Sequence, residues 1–261
     1  MSLHAGLSSP RPLVREAPVA IVCNGSTLGV MMASPDNLED FAIGFALTEG
    51  LVPAAAQVED LEVLEHDAGW ELRFWVTGPA AKALSERQRA MIGPVGCGLC
   101  GIDSLANATR ALPPLPDGSW RLTHAEACSA TQHLRAHQPE HDRTRACHAA
   151  GFMLPGQGIV LAREDVGRHN ALDKLAGAMA REGVPPSSGA LVLTSRVSTD
   201  MVQKTVTLGA PILIAVSAAT DYAVRLAEAA NLTLVTRAKG RHCEVHTGAH
   251  RISNSERGRY H

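Results

Sequence analysis

The sequence predicts an α/β protein in which a largely parallel sheet follows a smaller N-terminal α+β part. In the second half of the chain, short apolar segments alternate with amphipathic segments of helical length, and the links between them are short. This alternation is typical of β-α-β units. The apolar segments are continuous, as in strands that helices cover on both faces. The first half instead carries a hairpin signal and a strand of alternating polarity.

The composition is that of a globular protein with one large domain or two small ones. The chain has 261 residues, of which 45% are hydrophobic but only 3% aromatic, so the core is built mainly from aliphatic side chains. A net charge of −2 gives no general attraction to nucleic acid or to an anionic membrane. No apolar run is long enough to span a bilayer, and residues 1–16 are expected to form a flexible leader without a signal-peptide core. We therefore expect a cytoplasmic protein whose six cysteines are thiols or ligands rather than a disulfide framework.

Residues 17–112 are predicted to form the N-terminal α+β part. Asn24-Gly25 between two apolar runs is the strongest short hairpin signal. Ser34 before Pro35 and Asp36 is typical of a helix N-cap. The predicted elements are strands at 18–23 and 27–32, a helix from Ser34 to Gly50, strands at 58–64 and 70–76, a helix at 79–91, the Cys-Gly loop and a short helix at 102–111.

Residues 119–245 are predicted to form the α/β sandwich domain, after a proline-rich linker at 113–118. Its predicted helices cover 123–137, 170–181, 198–208 and 220–230, and its predicted strands cover 159–162, 191–194, 212–216 and 232–235. Residues 246–261 are expected to be a polar, solvated tail.

The reactive chemistry is expected at Cys97 and Cys100, in the run Gly96-Cys97-Gly98-Leu99-Cys100-Gly101. A C-x-x-C pair places two thiols within reach of one sulfur atom, one metal ion or each other. The glycines leave the backbone open to an approaching partner. A helix predicted directly after Gly101 would lower the thiol pKa and so favour the reactive thiolate. Sulfur carriage, disulfide exchange and zinc binding all fit this pattern.

Polar residues follow each predicted strand of the second half, where open α/β sheets bind their ligands. Four cationic residues, Arg196, Arg237, Lys239 and Arg241, suit phosphate groups. Other polar residues predicted at this edge are Ser198 and Thr220 at helix starts, Ser217 after a strand, and Asp165 and His169 in a run of ionisable residues. The edge therefore predicts a phosphorylated or nucleotide-like ligand, although no G-x-G-x-x-G or Walker A motif is present.

Seven stretches of the chain form a recognisable set. They are Asn24-Gly25 with residues 31–35, Leu38 to Gly50, Cys97 to Gly101, His148-Ala149-Ala150, Glu164-Asp165-Val166-Gly167-Arg168-His169-Asn170-Ala171-Leu172-Asp173-Lys174, Ser195-Arg196 with residues 201–204, and Val216 to Thr220. Together they cover roughly residues 18–247 and resemble the FdhD/NarQ family of formate dehydrogenase accessory sulfurtransferases.

This resemblance implies a cytidine-deaminase-like three-layer sandwich that forms homodimers. It implies that sulfur is taken from a cysteine desulfurase as a persulfide and delivered to the molybdenum cofactor, bis-molybdopterin guanine dinucleotide (bis-MGD), for formate dehydrogenase. Cys97 matches the persulfide-carrying cysteine and Cys100 its companion. The stretch that binds the cofactor falls on Arg237, Ala238, Lys239, Gly240, Arg241 and His242, with Arg196, Ser198, Lys204, Asp165, His169, Ser217 and Thr220 as the other candidate contacts. Either cysteine as first acceptor, and either molybdenum or tungsten, is compatible with the pattern.

The chain departs from the family pattern at three places near the expected cofactor pocket. Arg145, Ala146 and Cys147 stand where the family usually has two glycines and one further residue before His148. Arg237 replaces an aromatic residue, and His246 replaces a tyrosine. These departures bear on the cofactor form and the client enzyme more than on sulfur transfer.

Two other functions stay open. In a non-catalytic cofactor chaperone, the cationic edge binds the cofactor and the cysteines only close a loop. In a zinc-dependent deaminase-like hydrolase, an H-x-E motif precedes P-C-x-x-C. The chain has His124-Ala125-Glu126, but it lies after Cys97 and Cys100, and Cys147-His148 is the other pair able to complete a zinc set with them.

Overall fold

The computed structural model describes residues 11–82, 84 and 112–253. The strands are β1 (Ala17–Cys23), β2 (Ser26–Ala33), β3 (Glu59–His66), β4 (Gly69–Trp75), β5 (Leu122–Thr123), β6 (His148–Leu154), β7 (Gly158–Asp165), β8 (Ala190–Leu193), β9 (Ile212–Ala215), β10 (Thr233–Lys239), β11 (His242–Thr247) and β12 (Ile252–Ser253). The helices are α1 (Leu38–Thr48), α2 (His124–Arg135), α3 (Pro139–Thr144), α4 (Arg168–Arg181), α5 (Thr199–Leu208) and α6 (Asp221–Ala229), with 3-10 turns at Ala55–Gln57, Pro186–Ser188 and Ala249–Arg251. Residues 78–82 and 84 are also helical. Within these ranges no helix has the length and apolar character that crossing a membrane requires.

The main sheet has six strands in the order β11-β10-β9-β8-β6-β7. Strands β8, β9 and β10 are parallel, whereas β6 runs antiparallel to both β7 and β8, and β11 runs antiparallel to β10. The prediction of a largely parallel sheet is therefore wrong, because two of the five pairings in the described chain are parallel. Strand β6 was missed, and β11 was assigned in part to a polar tail. Its outward His242, Glu244 and His246 resemble a solvated loop in sequence.

Helices cover both faces of this sheet, which makes three layers. In β9, Leu213 and Ala215 pack with α4, α5 and α6, whereas Ile212 and Ile214 pack with α2. The short β5–β12 pair closes the α2 side. Thr123 forms a capping box with Glu126 at the start of α2, which explains why this helix was predicted correctly.

The N-terminal sheet has four strands in the order β2-β1-β4-β3, and α1 packs on it. The predicted hairpin is confirmed: Asn24 and Gly25 have φ angles of 49° and 75°, the left-handed pair that an Asn-Gly turn favours. The predicted N-cap Ser34 is wrong, because the cap of α1 is Asn37. Ser34 is instead buried against β7, where its N–H donates to Asp165 (3.0 Å) and its Oγ accepts from the Val166 N–H (3.2 Å).

Helices α1 and α4 cross in backbone contact through two glycines. A Cβ atom on Gly44 would lie 1.6 Å from the carbonyl oxygen of Asp173. A Cβ atom on Gly177 would lie 1.9 Å from the carbonyl oxygen of Asp40. Only glycine permits this approach, which holds the N-terminal part against the main sheet.

Ion pairs with at least one buried partner surround this helix crossing. They are Lys174 with Asp165 and Asp36, Lys204 with Asp173 and Glu49, and Asp40 with Arg163 and Arg181. Each group joins a residue in or next to α1 to residues of the α/β part. Both partners are buried in the Lys174–Asp165 and Lys204–Asp173 pairs, and removing one partner of such a pair costs about 3–5 kcal/mol because the other charge is left buried. The two parts are thus fixed to each other by charge as well as by packing.

The cysteines include one disulfide, between Cys128 on α2 and Cys243 on β11. The expectation of thiols or ligands is therefore wrong for this pair. The two residues are 115 apart in sequence, so only the docking of α2 beside the edge strand brings them together. Cys23 and Cys147 are free and buried.

Candidate functional site

The carboxyl ends of β8, β9 and β10 meet at one edge of the main sheet, as predicted. The loops after β8 and β9 are joined by a bridge between Val197 and Ala219. The N–H of Arg237, near the end of β10, donates to the carbonyl of Ser217 (3.2 Å). Strand β6 runs antiparallel to β8, so its first residue, His148, lies at this edge. Strand β7 runs antiparallel to β6, so its last residue, Asp165, lies there too.

Two helix starts contribute hydroxyl groups to this edge. Ser198 is the N-cap of α5, and Thr220 is the N-cap of α6, where its hydroxyl accepts from the Ala223 N–H (3.3 Å). The Ser198 hydroxyl donates to Asp200 (3.1 Å), and His169 Nε2 lies 3.1 Å from the same carboxylate oxygen. Burial raises the pKa of Asp200, but these hydrogen bonds outweigh it and leave that pKa below its usual value. Asp200 is therefore ionised, and its carboxylate orients the imidazole of His169.

Four cations of the predicted set, Arg196, Arg237, Lys239 and Arg241, are exposed. Three of them lie at the tip of the β10–β11 hairpin, residues 237–242, which comprise the end of β10, Gly240 and Arg241, and the first residue of β11 and are called the β10–β11 turn below. In that turn Arg237 and Gly240 adopt left-handed backbone conformations with φ of 49° and 72°. Ala238 is buried between them and its carbonyl accepts from Thr131 of α2, whereas His242 is exposed. The turn is thus anchored at Ala238 and its cations are exposed, with Arg237 3.3 Å from the Glu244 carboxylate. Exposed cations of this kind are suited to phosphate groups.

Two predicted contact residues, Asp165 and Lys204, lie in the protein interior. Lys204 Nζ is 2.8 Å from one carboxylate oxygen of Asp173 and 2.7 Å from Glu49. Burial lowers the pKa of Lys204, but these carboxylates outweigh it and raise the pKa, so the ammonium stays charged. Asp165 is fully buried and accepts from Gly167 N–H (2.8 Å) as well as pairing with Lys174 (2.8 Å). Both side chains therefore stabilise the protein interior beneath the sheet edge rather than lie exposed at it.

Sequence reasoning missed Arg168, the first residue of α4. Its Nε atom is buried and has no hydrogen-bond partner among the described residues. The neighbouring His148 is half-buried, and burial together with the Arg168 charge lowers the pKa of its imidazole, which keeps it neutral at pH 7. An unpaired guanidinium N–H of this kind is available to an acceptor such as a water molecule or a ligand oxygen. The dense ionisable run after β7 was the signal that could have singled it out.

Cys147 lies directly before His148 but is not a reactive thiol. Burial, assisted by Glu164 and Glu140, raises its pKa to about 11. At pH 8 it holds about two hundredfold less thiolate than an ordinary cysteine of pKa about 8.5. The greater nucleophilicity of a basic thiolate offsets only part of this difference.

We expect native Cys147 to react with iodoacetamide at pH 8 at least about tenfold more slowly than the same residue in guanidinium chloride. Peptide mapping by mass spectrometry after timed quenching measures both rates on one peptide. Equal rates in the two conditions would contradict the buried, high-pKa assignment.

The cysteines on which the chemistry was predicted, Cys97 and Cys100, lie outside the described residues, as do the predicted helix at 102–111 and most of that at 79–91. The alternative zinc motif does fall partly within them. Glu126 accepts from the N–H groups of Thr123 (2.8 Å) and Gly156 (2.7 Å), so its carboxylate caps α2 and ties down a turn. That use of Glu126 disfavours a general acid–base role beside zinc.

The fold defines a mixed α/β protein in which exposed cations and two helix N-termini share one edge of the main sheet. The sequence pattern of the FdhD/NarQ family matches residues 14–253. Sulfur carrier protein FdhD of Agrobacterium fabrum is 45% identical over 242 residues, which cover 93% of this chain and 89% of the relative. The Brucella abortus protein of the same name is 48% identical over 247 residues, which cover 95% and 92%. The chain belongs to the FdhD/NarQ family.

A solved structure shares the fold. The crystal structure of a candidate formate dehydrogenase accessory protein from Desulfotalea psychrophila superposes with a TM-score of 0.70. The match covers 92% of this chain and 90% of that one, at 24% identity. The mixed α/β architecture is therefore that of a known structure.

Proposed function

We propose that this protein is a sulfur carrier. It takes sulfur from a cysteine desulfurase as a persulfide on Cys97, and it passes that sulfur to bis-MGD destined for formate dehydrogenase. The observation that carries the proposal is the identity of 45–48% over more than nine-tenths of the chain with relatives named sulfur carrier proteins. The Cys97–Cys100 pair supplies the thiols that this role requires.

The sheet edge supports the second half of the proposal, the binding of a guanine dinucleotide as substrate. Such a ligand carries several phosphates, which need charged or N–H donors. Arg196, Arg237, Lys239 and Arg241 are exposed at the edge, and Arg168 holds an unpaired N–H. Neutral His148 adds a hydrogen-bonding group without further charge. The edge thus supplies both the charge and the directed donors for the phosphates.

The sulfur chemistry balances in two steps. The Cys97 thiolate attacks the outer sulfur of the desulfurase persulfide, the donor S–S bond breaks, and the desulfurase cysteine leaves as a thiolate. The Cys100 thiolate then attacks Sγ of Cys97 and releases the outer sulfur as hydrosulfide, which the molybdenum cofactor accepts. A Cys97–Cys100 disulfide remains, and a dithiol reductant restores it to two thiols.

The first test is the mass of the full-length protein after incubation with an active cysteine desulfurase and L-cysteine. We expect a gain of one sulfur atom that is reversed by reductant and maps to the peptide containing Cys97 and Cys100. The Cys97→Ala/Cys100→Ala variant should gain none, whereas Cys147→Ala should gain the full amount. If the unaltered protein gains no sulfur, the carrier proposal fails.

A cofactor chaperone is the second candidate, and the exposed cations of the edge favour it. It predicts that the cofactor binds normally to protein lacking both motif cysteines.

We also propose, from the family resemblance, that the protein forms a homodimer and that its three-layer fold is related to that of cytidine deaminases. The sulfur-transfer steps require neither property.

A further inference from the structure

Three potential metal ligands converge where α2 meets β11. His124 and Cys128 stand four residues apart on α2 and so share one face of the helix. Cys243 on β11 completes the group, and the three ligand atoms lie within 4.8 Å of one another. His124 Nε2 is 3.5 Å from Cys128 Sγ and 3.7 Å from Cys243 Sγ. Neither the proposed sulfur transfer nor the candidate cofactor edge uses these residues.

These distances match those around a tetrahedral zinc ion. With Zn–S bonds of about 2.3 Å and Zn–N bonds of about 2.05 Å, tetrahedral angles place a ligand nitrogen about 3.6 Å from each sulfur. The two sulfurs of such a site are about 3.8 Å apart, so they must separate from their disulfide bond. We propose that the reduced chain binds one Zn²⁺ ion through His124, Cys128 and Cys243.

Zinc binding requires that the disulfide first be reduced, and a dithiol reductant supplies the two electrons. Two exchange steps break the Cys128–Cys243 bond and oxidise the reductant to its cyclic disulfide, and its two protons pass to the cysteines. Zinc then forms two Zn–S bonds and displaces both protons. The two thiolates neutralise the charge of the ion, and the exposed position of His124 leaves the fourth coordination site to water.

The site joins the turn between β10 and β11 to α2 in either state. Cys243 directly follows the exposed His242 of that turn, while Thr131 of α2 hydrogen-bonds Ala238 inside it. A disulfide or a zinc ion therefore restrains the same cationic turn. This gives the metal a structural role at the border of the sheet edge.

Cobalt binding tests the proposal, because thiolate-bound Co²⁺ absorbs in the near ultraviolet whereas Zn²⁺ does not. The measurement uses full-length Cys97→Ser/Cys100→Ser protein, so that the motif thiols contribute nothing. After reduction and removal of the reductant, we expect one Co²⁺ per chain with thiolate charge-transfer absorption, which Zn²⁺ displaces. His124→Ala should weaken binding by more than about tenfold, since losing even an outer-shell partner costs about 10–100-fold.

Two variants separate this site from adventitious binding. Cys243→Ser on the same background should lose the charge-transfer band, and Cys147→Ser, which removes a buried thiol elsewhere, should keep it. His124 is exposed, so its replacement tests the site even if Cys243→Ser fails to fold. No thiolate–cobalt absorption in the background protein, or an unchanged affinity in His124→Ala, would overturn the proposal. Neither result bears on sulfur loading at Cys97.

Discussion

Cells that carry only the Cys97→Ala variant are expected to lose formate dehydrogenase activity. Alanine has no sulfur atom, so no persulfide forms at residue 97 and no sulfur reaches the cofactor. The loss should approach that of a deletion strain, because a thiol at residue 147 is no substitute. Cys147 is buried and its pKa is raised to about 11, mainly by burial.

The controls for this prediction distinguish a carrier from a chaperone. Cys147→Ala removes a thiol of comparable size from the interior and should leave client activation intact. Lys239→Glu reverses an exposed charge of the β10–β11 turn and should reduce activation under both hypotheses. Full formate dehydrogenase activity with Cys97→Ala, together with its loss in Lys239→Glu, would refute the carrier and support the chaperone. Normal levels of each variant in the cell exclude misfolding as the cause.

The parts of the fold that local signals specify were predicted well. The Asn24-Gly25 turn and the start of the helix predicted at 123–137 each depend on residues within a few positions of the element, so the sequence nearby contains the cause. Strands β8, β9 and β10 are continuous apolar runs with helices between them, and their shared carboxyl edge followed from that order. Short-range chemistry therefore predicted the four longer helices of the second half and the shared carboxyl edge of these three strands.

The errors arose where residues distant in sequence decide the outcome. Ser34 has the residue type and neighbours of an N-cap, but Asp165, 131 residues away, holds its backbone N–H. Lys204 became a candidate contact because residues 201–204 resemble the family, yet its ammonium group pairs with Asp173 and Glu49. A charged residue near a strand end binds either a ligand or an internal partner. Only the tertiary contacts determine whether the charge pairs with a ligand or with a residue of the same chain.

Gly44→Ala is expected to destabilise the protein by about 2–3 kcal/mol or more. Alanine favours a helix over glycine by about 1 kcal/mol, so an isolated α1 would gain stability. In the folded chain, however, the added Cβ would meet the Asp173 carbonyl at 1.6 Å. The clash is with backbone atoms, so the two helices must move apart to admit it, and the cost lies at or above the upper end of the usual overpacking range, at about 3–4 kcal/mol. The steric term outweighs the helix propensity.

Thermal or urea unfolding followed by circular dichroism measures this effect, with Gly29→Ala as the matched control. Gly29 lies on β2, and apart from residues 28–30 no atom of the described residues lies within 4 Å of the position that an added methyl group would take. Its replacement should therefore change stability by less than about 1 kcal/mol. We expect Gly44→Ala to lower Tm by about 5–10 °C relative to that control. Equal Tm values would show that α1 and α4 can move apart without loss of stability. The buried pairs of Asp173 with Lys204 and of Asp165 with Lys174 would then form without close contact between the two helices. The inference that this crossing supports the sheet edge rigidly would be wrong.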